Sequence, residues 1–208
     1  MLNYIHMKKP INTNRLTADY FDGSTIQIAR GLLGQLLVRR VNGKLLIVKI
    51  VETEAYNGPH DLASHASRGI TPRTAPMFEA GGHAYIYLIY GMYNCFNITT
   101  GASGYPAAVL IRAIEPLEGI EFMKKLRHTN NLKNLCSGPG KLCQALGIDR
   151  QLNREDLSQS NKIWLEKPTQ TTKFKIKKAP RVGVDYAGPY RDKLWRFYID
   201  GNDFVSKK

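Results

Sequence analysis

An Asn-Gly pair at positions 42 and 43 separates two apolar segments, residues 36–40 and 45–56, and it constrains the fold more than any other feature of this sequence. Asn-Gly is a preferred pair at the centre of a two-residue β-hairpin turn, because both positions require positive φ. We therefore predict an antiparallel hairpin here. Even-numbered positions of its second strand share one face if no bulge intervenes.

The remaining segments predict a mixture of strands and helices around a long loop. Residues 57–83 are rich in Gly, Pro, Ser and Arg, and loops of this length in compact domains are often functional. A second hairpin is predicted to turn at Gly91-Met92. Apolar or alternating patterns predict strands at residues 84–90, 93–99, 107–114, 172–186 and 194–199. Helical spacing predicts helices at residues 19–33 (interrupted near Asp22-Gly23), 115–127 and 140–146, with Gly147 ending the last.

The length and composition suit one globular domain. The chain has 208 residues, of which 43% are hydrophobic, and neither an internal repeat nor a clear linker divides it. We predict a single domain of mixed helices and strands over residues 17–208. A polar, basic and loosely ordered arm is predicted over residues 1–16.

Charge and cysteine content narrow the class of partner and the compartment. Lys and Arg number 30 against 17 Asp and Glu, a net charge of +13, which favours DNA, RNA or an anionic membrane surface as partner. No stretch of ~20 apolar residues and no signal-peptide core is found, so we expect neither a membrane span nor secretion. Cys95, Cys136 and Cys143 lack CxxC spacing, which argues against a zinc knuckle or disulfide framework and favours a reducing cytoplasm.

Two carboxylates and a group of tyrosines carry the chemical signal. Glu52 and Glu54 end the second strand, where a rigid carboxylate can deprotonate water or stabilise an oxocarbenium-like transition state. Glu54 is the sharper candidate, although Glu52 could be the active residue and either could form a surface ion pair. Tyr85 and Tyr87 share one face of the second hairpin and Tyr90 lies at its tip. Such tyrosines can stack on bases, although strand tyrosines are also ordinary structural residues.

The loops supply candidate anion-binding residues. His60, Asp61, His65 and His83 match no metal-binding signature, so we expect no metal, and His65 is more plausible as a contact to a base edge or phosphate. Arg68 and Arg73 suit phosphate binding. Residues 137–141, SGPGK, resemble a phosphate cradle but not a P-loop. Lys173, Lys175 and Lys177 form either a basic face or a charged edge strand.

Motifs distributed over nearly the whole chain resemble one enzyme family. The pieces are VETEAY, the histidine at 65, TPRTAPMF, YIYLIYGMYNCFN, VLIRAIEPLEG, LCSGPGKLCQALGI, RVGVDYAG and WRFYI, in family order from residue 17 to 205. They resemble the alkyladenine (3-methyladenine) DNA glycosylase family. The resemblance implies a monomeric α+β domain with a curved, mixed or antiparallel sheet flanked by helices, a protruding β-hairpin and a barrel like that of the formyltransferase C-terminal domain. It implies no cofactor.

The resemblance also implies roles for individual residues. Glu54 matches the general base and Arg112 an arginine near the catalytic water. Tyr90 matches the residue inserted into the duplex. Matches to the base pocket, where the flipped base stacks between two tyrosines, are Tyr56, His65, Tyr87, Asn97 and Leu110. We assign contacts with the DNA backbone to Arg68, Arg73, Met77, Met92, Tyr93 and Lys141.

The implied activity is the excision of damaged purines from double-stranded DNA. A purine of the 3-methyladenine, 7-methylguanine, hypoxanthine and ethenoadenine class would be flipped out and hydrolysed from its sugar, leaving an abasic site. No lysine near Glu54 suggests a Schiff base, so we expect no strand cleavage.

Three alternatives remain open at this stage: a non-catalytic binder of damaged or single-stranded nucleic acid, a helix-hairpin-helix glycosylase suggested by residues 137–148, and an RNA-directed enzyme. Asn94 in the hairpin is more polar than the family pattern leads one to expect.

Overall fold

The computed structural model describes residues 14–170 and 172–207. Most of the predicted arm, residues 1–13, lies outside the described residues. Arg15 and Leu16 are packed onto the domain, since the Arg15 guanidinium donates to the Leu157 carbonyl at 2.8 Å and the Leu16 N–H to the Leu165 carbonyl at 2.9 Å.

In the part of the chain that the structure describes, eight strands form one antiparallel sheet. They are β1 (Leu36–Val41), β2 (Lys44–Asn57), β3 (Ala84–Ile89), β4 (Tyr93–Thr99), β5 (Ala107–Glu118), β6 (Ile163–Glu166), β7 (Ile176–Ala179) and β8 (Arg196–Ile199). The main order is β3-β4-β5-β2-β1-β6. β8 pairs with the part of β2 that extends beyond β1, and β7 pairs with β8. Among the described residues these pairings run as an open path. β2 therefore lies at the centre, and its second half is enclosed by β5 and β8.

Among residues 14–170 and 172–207, three α-helices flank the sheet: α1 (Thr25–Gly31), α2 (Ile120–Arg127) and α3 (Pro139–Leu146). α1 packs on β2 and β5, α3 packs on β4 and β5, and α2 packs on α3. Short 3-10 helices occupy Ala18–Phe21, His65–Arg68, Ala75–Phe78, Leu132–Asn134, Arg150–Leu152 and Gly188–Tyr190. The predicted single α+β domain, with an antiparallel sheet flanked by helices, is confirmed.

Several predicted boundaries are wrong for identifiable reasons. The helix predicted to open at Glu115 begins at Ile120, because Glu115 and Pro116 still pair with β2 and Gly119, at φ 79°, makes the turn into α2. The sequence pattern missed β6, and the strand predicted over residues 172–186 is only β7.

Both predicted hairpins form, but the second turns one residue earlier than expected. Asn42 and Gly43 have φ of 47° and 71°, as the Asn-Gly signal requires. In the second hairpin the central residues are Tyr90 and Gly91, at φ 53° and 70°, and the Met92 N–H bonds to the Ile89 carbonyl. Tyr90 is thereby placed at the tip, where 83% of it is exposed.

A bulge at Val51 reverses which face of β2 is buried in the main core. Ile50 pairs with Ile114 and Glu52 with Ala113, so Val51 is an extra residue on β2. The expectation of one continuous face from 46 to 56 therefore fails. Even-numbered residues lie in the core before the bulge, at Leu46, Val48 and Ile50, whereas Ala55 takes that place after it.

A second bulge lies opposite the first, on β5. Glu52 pairs with Ala113 but Thr53 pairs with Ile111, which leaves Arg112 as the extra residue. Thr53, at an odd position, donates its hydroxyl to the Ala29 carbonyl in α1. The two bulges thus turn Glu52, Glu54 and Arg112 away from the apolar core and toward the same side of the sheet.

Candidate active site

The open side of β2, β4 and β5 forms the floor of a cavity of about 130 Å³. A cavity on the order of 150 Å³ holds a benzene molecule, so the space suits an aromatic ring. All five residues assigned to the base pocket line it together with Arg112, namely Tyr56, His65, Tyr87, Asn97, Leu110 and Arg112. Residues 182–184 close one side.

Glu54 lies directly beneath the cavity wall and is completely buried. The Tyr56 hydroxyl donates to Oε2 of Glu54 at 2.9 Å, and the Val182 N–H donates to Oε1 at 2.8 Å. Arg112 Nη1 lies 3.5 Å from Oε1. All three neighbours line the cavity, so the carboxylate is held from three directions by groups that a bound molecule would touch.

The surroundings of Glu54 make it a stronger base than a free glutamate. Burial is the largest effect and raises the pKa of the Glu54 carboxyl, against the opposing influence of Arg112 and the hydrogen bonds from Val182 and Tyr56. Desolvation disfavours the charged form of a carboxylate. A raised pKa lies closer to neutral pH, and a general base is most effective when its pKa is near the pH at which it operates.

Glu52 has a different set of partners and anchors the end of the chain. Arg196 Nη1 donates to Oε1 at 2.8 Å and the Ser206 N–H to Oε2 at 2.7 Å. Arg112 Nε lies 3.4 Å from Oε1, so Arg112 bridges the two carboxylates. Because both oxygens of Glu52 are held by structural groups, Glu54 is the better candidate for chemistry.

Tyr87 and His65 form one wall of the cavity. Their rings meet edge to face with centroids 4.6 Å apart, and Nδ1 of His65 lies 3.2 Å from the Tyr85 hydroxyl. Burial, followed by the charges of Arg73 and Arg68, lowers the pKa of His65 to about 4. His65 is therefore neutral at physiological pH.

Asn97 is buried at the base of the cavity, and its orientation is fixed. Its Nδ2 donates to the Tyr85 carbonyl at 3.0 Å, and the Cys95 carbonyl lies at 3.4 Å. Both are acceptors, so the amide nitrogen must face the backbone. The side chain is a rigid polar group at the base of the pocket, which suits discrimination among base edges.

Met77 was expected on the DNA backbone but lies inside the pocket wall. Only 2% of it is exposed, and it packs with Ala66, Tyr85 and Ala108. A side chain this buried offers no surface to a phosphate, and its contribution is to support Tyr85.

The other predicted DNA contacts are on the surface. Tyr90, Met92 and Tyr93 are exposed at the hairpin tip. Next to the cavity lies a cleft of about 570 Å³ lined by Tyr93, Gly140 and Lys141. A Cβ on Gly140 would lie 3.1 Å from the Tyr93 Cβ, so glycine allows the hairpin to pack closely on α3.

The three predicted cationic contacts lie outside the cavity. Lys141 contacts Asn134. Arg68 and Arg73 are exposed in the loop that contains His65.

Sequence reasoning missed the buried ion pair between Asp61 and Arg181. The guanidinium donates to both carboxylate oxygens, at 2.5 and 2.8 Å, and also to the Ala55 carbonyl at 2.9 Å. Its central carbon lies 4.8 Å from the Tyr56 ring centroid. Since Arg181 immediately precedes Val182, the pair ties together three walls of the cavity: the end of β2, the 57–83 loop and the 181–184 segment.

Within the described residues, no three metal-ligating side chains come together. His60, His65 and His83 are thus not parts of a common site. None of the described helices is both long and apolar enough to span a bilayer.

Comparison with known proteins agrees with this geometry. The sequence profile described as Methylpurine-DNA glycosylase (MPG) matches residues 19–203, and the chain belongs to this family. It is a DNA-repair glycosylase, of the class that acts in base excision repair.

Relatives in archaea and bacteria match almost end to end. A protein of Methanocella arvoryzae is 49% identical over 93% of this chain and 96% of its own length. One of Clostridium tetani is 47% identical over 93% and 100%, and one of Bacillus cereus 46% over 91% and 97%. Each bears the name "Putative 3-methyladenine DNA glycosylase".

Proposed function

We propose that this chain excises damaged purines from double-stranded DNA by hydrolysing the bond between base and deoxyribose. The observation that supports this most is the buried Glu54 carboxylate beneath a cavity walled by Tyr56 and Tyr87. The substrates would be purines of the 3-methyladenine, 7-methylguanine, hypoxanthine and ethenoadenine class. The product would be an abasic site.

Base flipping is required because a stacked base cannot enter the cavity. Extrusion costs a few kcal/mol, and it costs least for damaged bases that pair and stack poorly. The exposed ring of Tyr90, held at the tip of a two-strand hairpin, would fill the gap in the duplex. Stacking in the cavity returns ~1–3 kcal/mol per base.

In the chemical step Glu54 would accept a proton from water as the water oxygen bonds to the anomeric carbon. The bond to the base breaks and its electron pair leaves with the base. Each Glu54 oxygen has one hydrogen-bond donor, and a carboxylate oxygen can accept a second. The negative charge would also stabilise the oxocarbenium-like transition state. Arg112 and the Val182 N–H would hold the carboxylate in place.

The reaction would stop at the abasic site. A lyase that works through a Schiff base needs a nearby amine, and no lysine is among the described residues that line the cavity. Lys141 lies in the adjoining cleft instead.

The test uses a duplex oligonucleotide with one hypoxanthine or one ethenoadenine. We expect strand breakage only after alkali with the wild-type protein and none with Glu54→Gln. A borohydride-trapped protein–DNA adduct would contradict the monofunctional mechanism. Failure of the wild type to release either base, or 7-methylguanine, would contradict the activity itself.

A further inference from the structure

Arg73 is a cation stacked on a tyrosine of the cavity wall. Its guanidinium carbon lies 4.9 Å from the Tyr87 ring centroid, and its Nη2 lies 3.5 Å from the Leu88 carbonyl. In the described part of the chain, none of the ion pairs that form includes Arg73. Its charge is therefore not paired with a carboxylate among those residues.

Tyr56, on the other wall, also has a guanidinium against it, but that charge is neutralised. Arg181 lies 4.8 Å from the Tyr56 centroid and is paired in a bidentate manner with the buried Asp61. Both tyrosines line the cavity, whereas neither arginine does. Each guanidinium thus contacts a cavity tyrosine without itself lining the space that a base would occupy.

A cation on one side of an aromatic ring weakens the ring's attraction for a second cation. The face of a tyrosine attracts positive charge through its quadrupole, and Arg73 already draws on that attraction at Tyr87. A positively charged base in the cavity would also be repelled directly by Arg73. A neutral base would lose neither interaction.

The pKa of His65, a residue of the same cavity wall, also reflects the positive charge of Arg73. Its ring meets Tyr87 edge to face. After burial, the charge of Arg73 is the next largest cause that lowers the pKa of His65. An added positive charge on a ring at this wall is thus disfavoured.

We propose that Arg73 is a specificity-determining residue that shifts excision toward neutral damaged purines and away from cationic ones. The inference rests on the proposed glycosylase function. The bias is chemically reasonable, because a cationic purine leaves as a neutral base without being protonated. Neutral purines depend more on what the site supplies, so weaker attraction for cations costs the enzyme little.

The test compares two duplexes of identical sequence, with one ethenoadenine (neutral) or one 7-methylguanine (cationic). Single-turnover rate divided by DNA dissociation constant is measured for each. Arg73→Gln is expected to raise the ratio of 7-methylguanine to ethenoadenine excision about two- to fivefold. Arg73→Lys keeps the charge and is expected to stay near the wild-type ratio. Because Arg73 is exposed, both variants should fold.

Arg68→Gln is the matched control. Arg68 is exposed in the same loop and also lowers the pKa of His65, but it stacks on neither cavity tyrosine. Its loss is expected to weaken binding to both duplexes alike and to leave the ratio unchanged. An unchanged ratio in Arg73→Gln, or an equal shift in Arg68→Gln, would overturn the inference. A wild type that releases neither base would overturn the proposed function instead, so the two failures are distinguishable.

Discussion

The hydroxyl of Tyr56 donates a 2.9 Å hydrogen bond to the carboxylate of Glu54, two residues earlier on the same strand. The same tyrosine ring forms one wall of the cavity. The surface on which a base would stack is thereby connected directly to the group that would activate water. A shift of the Tyr56 ring would alter this hydrogen bond and therefore the pKa of Glu54. Binding of the base and activation of water are thus coupled through one side chain.

Replacing Tyr56 with Phe keeps the stacking surface and removes this hydrogen bond. Because the bond lowers the pKa of Glu54, that pKa should rise further in the variant. The active form of Glu54 is ionised, so activity should be lost at a higher pH when the solution is acidified. The shift should be about one pH unit, because the hydrogen bond that is removed is one to a charged group. Single-turnover rates from pH 5 to 8 measure the acid limb. Tyr85→Phe is the control, because the Tyr85 hydroxyl contacts His65 and not Glu54; it should leave the pH dependence of the rate unchanged. An unchanged pH dependence in Tyr56→Phe would refute the coupling.

Glu54→Gln should be inactive, and its stability relative to that of the wild type should increase as the pH rises. Since burial raises the folded-state pKa of Glu54, its contribution to stability is complete below the unfolded-state pKa of about 4.3 and is lost as pH rises through the folded-state value. The free energy of unfolding of Glu54→Gln relative to wild type should therefore be higher at pH 8 than at pH 4.5. Urea unfolding at the two pH values measures this.

Glu52→Gln is the counterpart and should be destabilised at pH 8 by about 2 kcal/mol, because Arg196 and the Ser206 N–H lose a charged acceptor. Equal stability of the two variants at pH 8 would show that the structure assigns the carboxylates wrongly.

The Asp61–Arg181 pair should behave as a coupled unit. Asp61→Ala leaves a guanidinium buried without its carboxylate and should cost about 3–5 kcal/mol of unfolding free energy. The double variant Asp61→Ala/Arg181→Met removes both charges and should be more stable than the sum of the two single changes predicts. Urea unfolding of all four proteins completes the cycle, and strict additivity would contradict the coupling.

Lys141 should account for about one phosphate contact. Specific binding to lesion-containing duplex should weaken with salt, with a slope of about −0.9 per neutralised phosphate. Lys141→Gln should reduce the slope by about one. Lys177→Gln is the control, because Lys177 is paired with Asp200 on the β7–β8 edge, and it should leave the slope unchanged. Equal effects of the two variants would remove Lys141 from the interface.

The hairpins were predictable because their signals are local. Asn42-Gly43 fixes the first turn whatever the rest of the chain does, and the alternation of Tyr85 and Tyr87 correctly placed both on the cavity side. The bulge at Val51 was not predictable, because an extra residue is defined only relative to its partner strand. The pattern thus placed Glu52 and Glu54 on one face together, but it derived this from an uninterrupted alternation that the bulge at Val51 breaks.

Long-range pairs were beyond reach for the same physical reason. Asp61 and Arg181 are 120 residues apart, and neither is distinctive in its local sequence. The pocket residues Asn97 and Leu110 were predicted through the family resemblance, since an asparagine and a leucine in strands carry no chemical signal alone. Met77 shows the limit of the resemblance, because its burial depends on how the 57–83 loop packs.

The pairing of Glu52 with Arg196 and Ser206 has a consequence during synthesis. This carboxylate belongs to the first third of the chain, but its partners leave the ribosome more than 140 residues later, since it is separated from Arg196 by 144 positions and from Ser206 by 154. A nascent chain that lacks those residues must keep the charge of Glu52 in water and cannot close the sheet around it. The surroundings of Glu52 are therefore completed only after translation has passed residue 206, and this domain is expected to fold late rather than progressively.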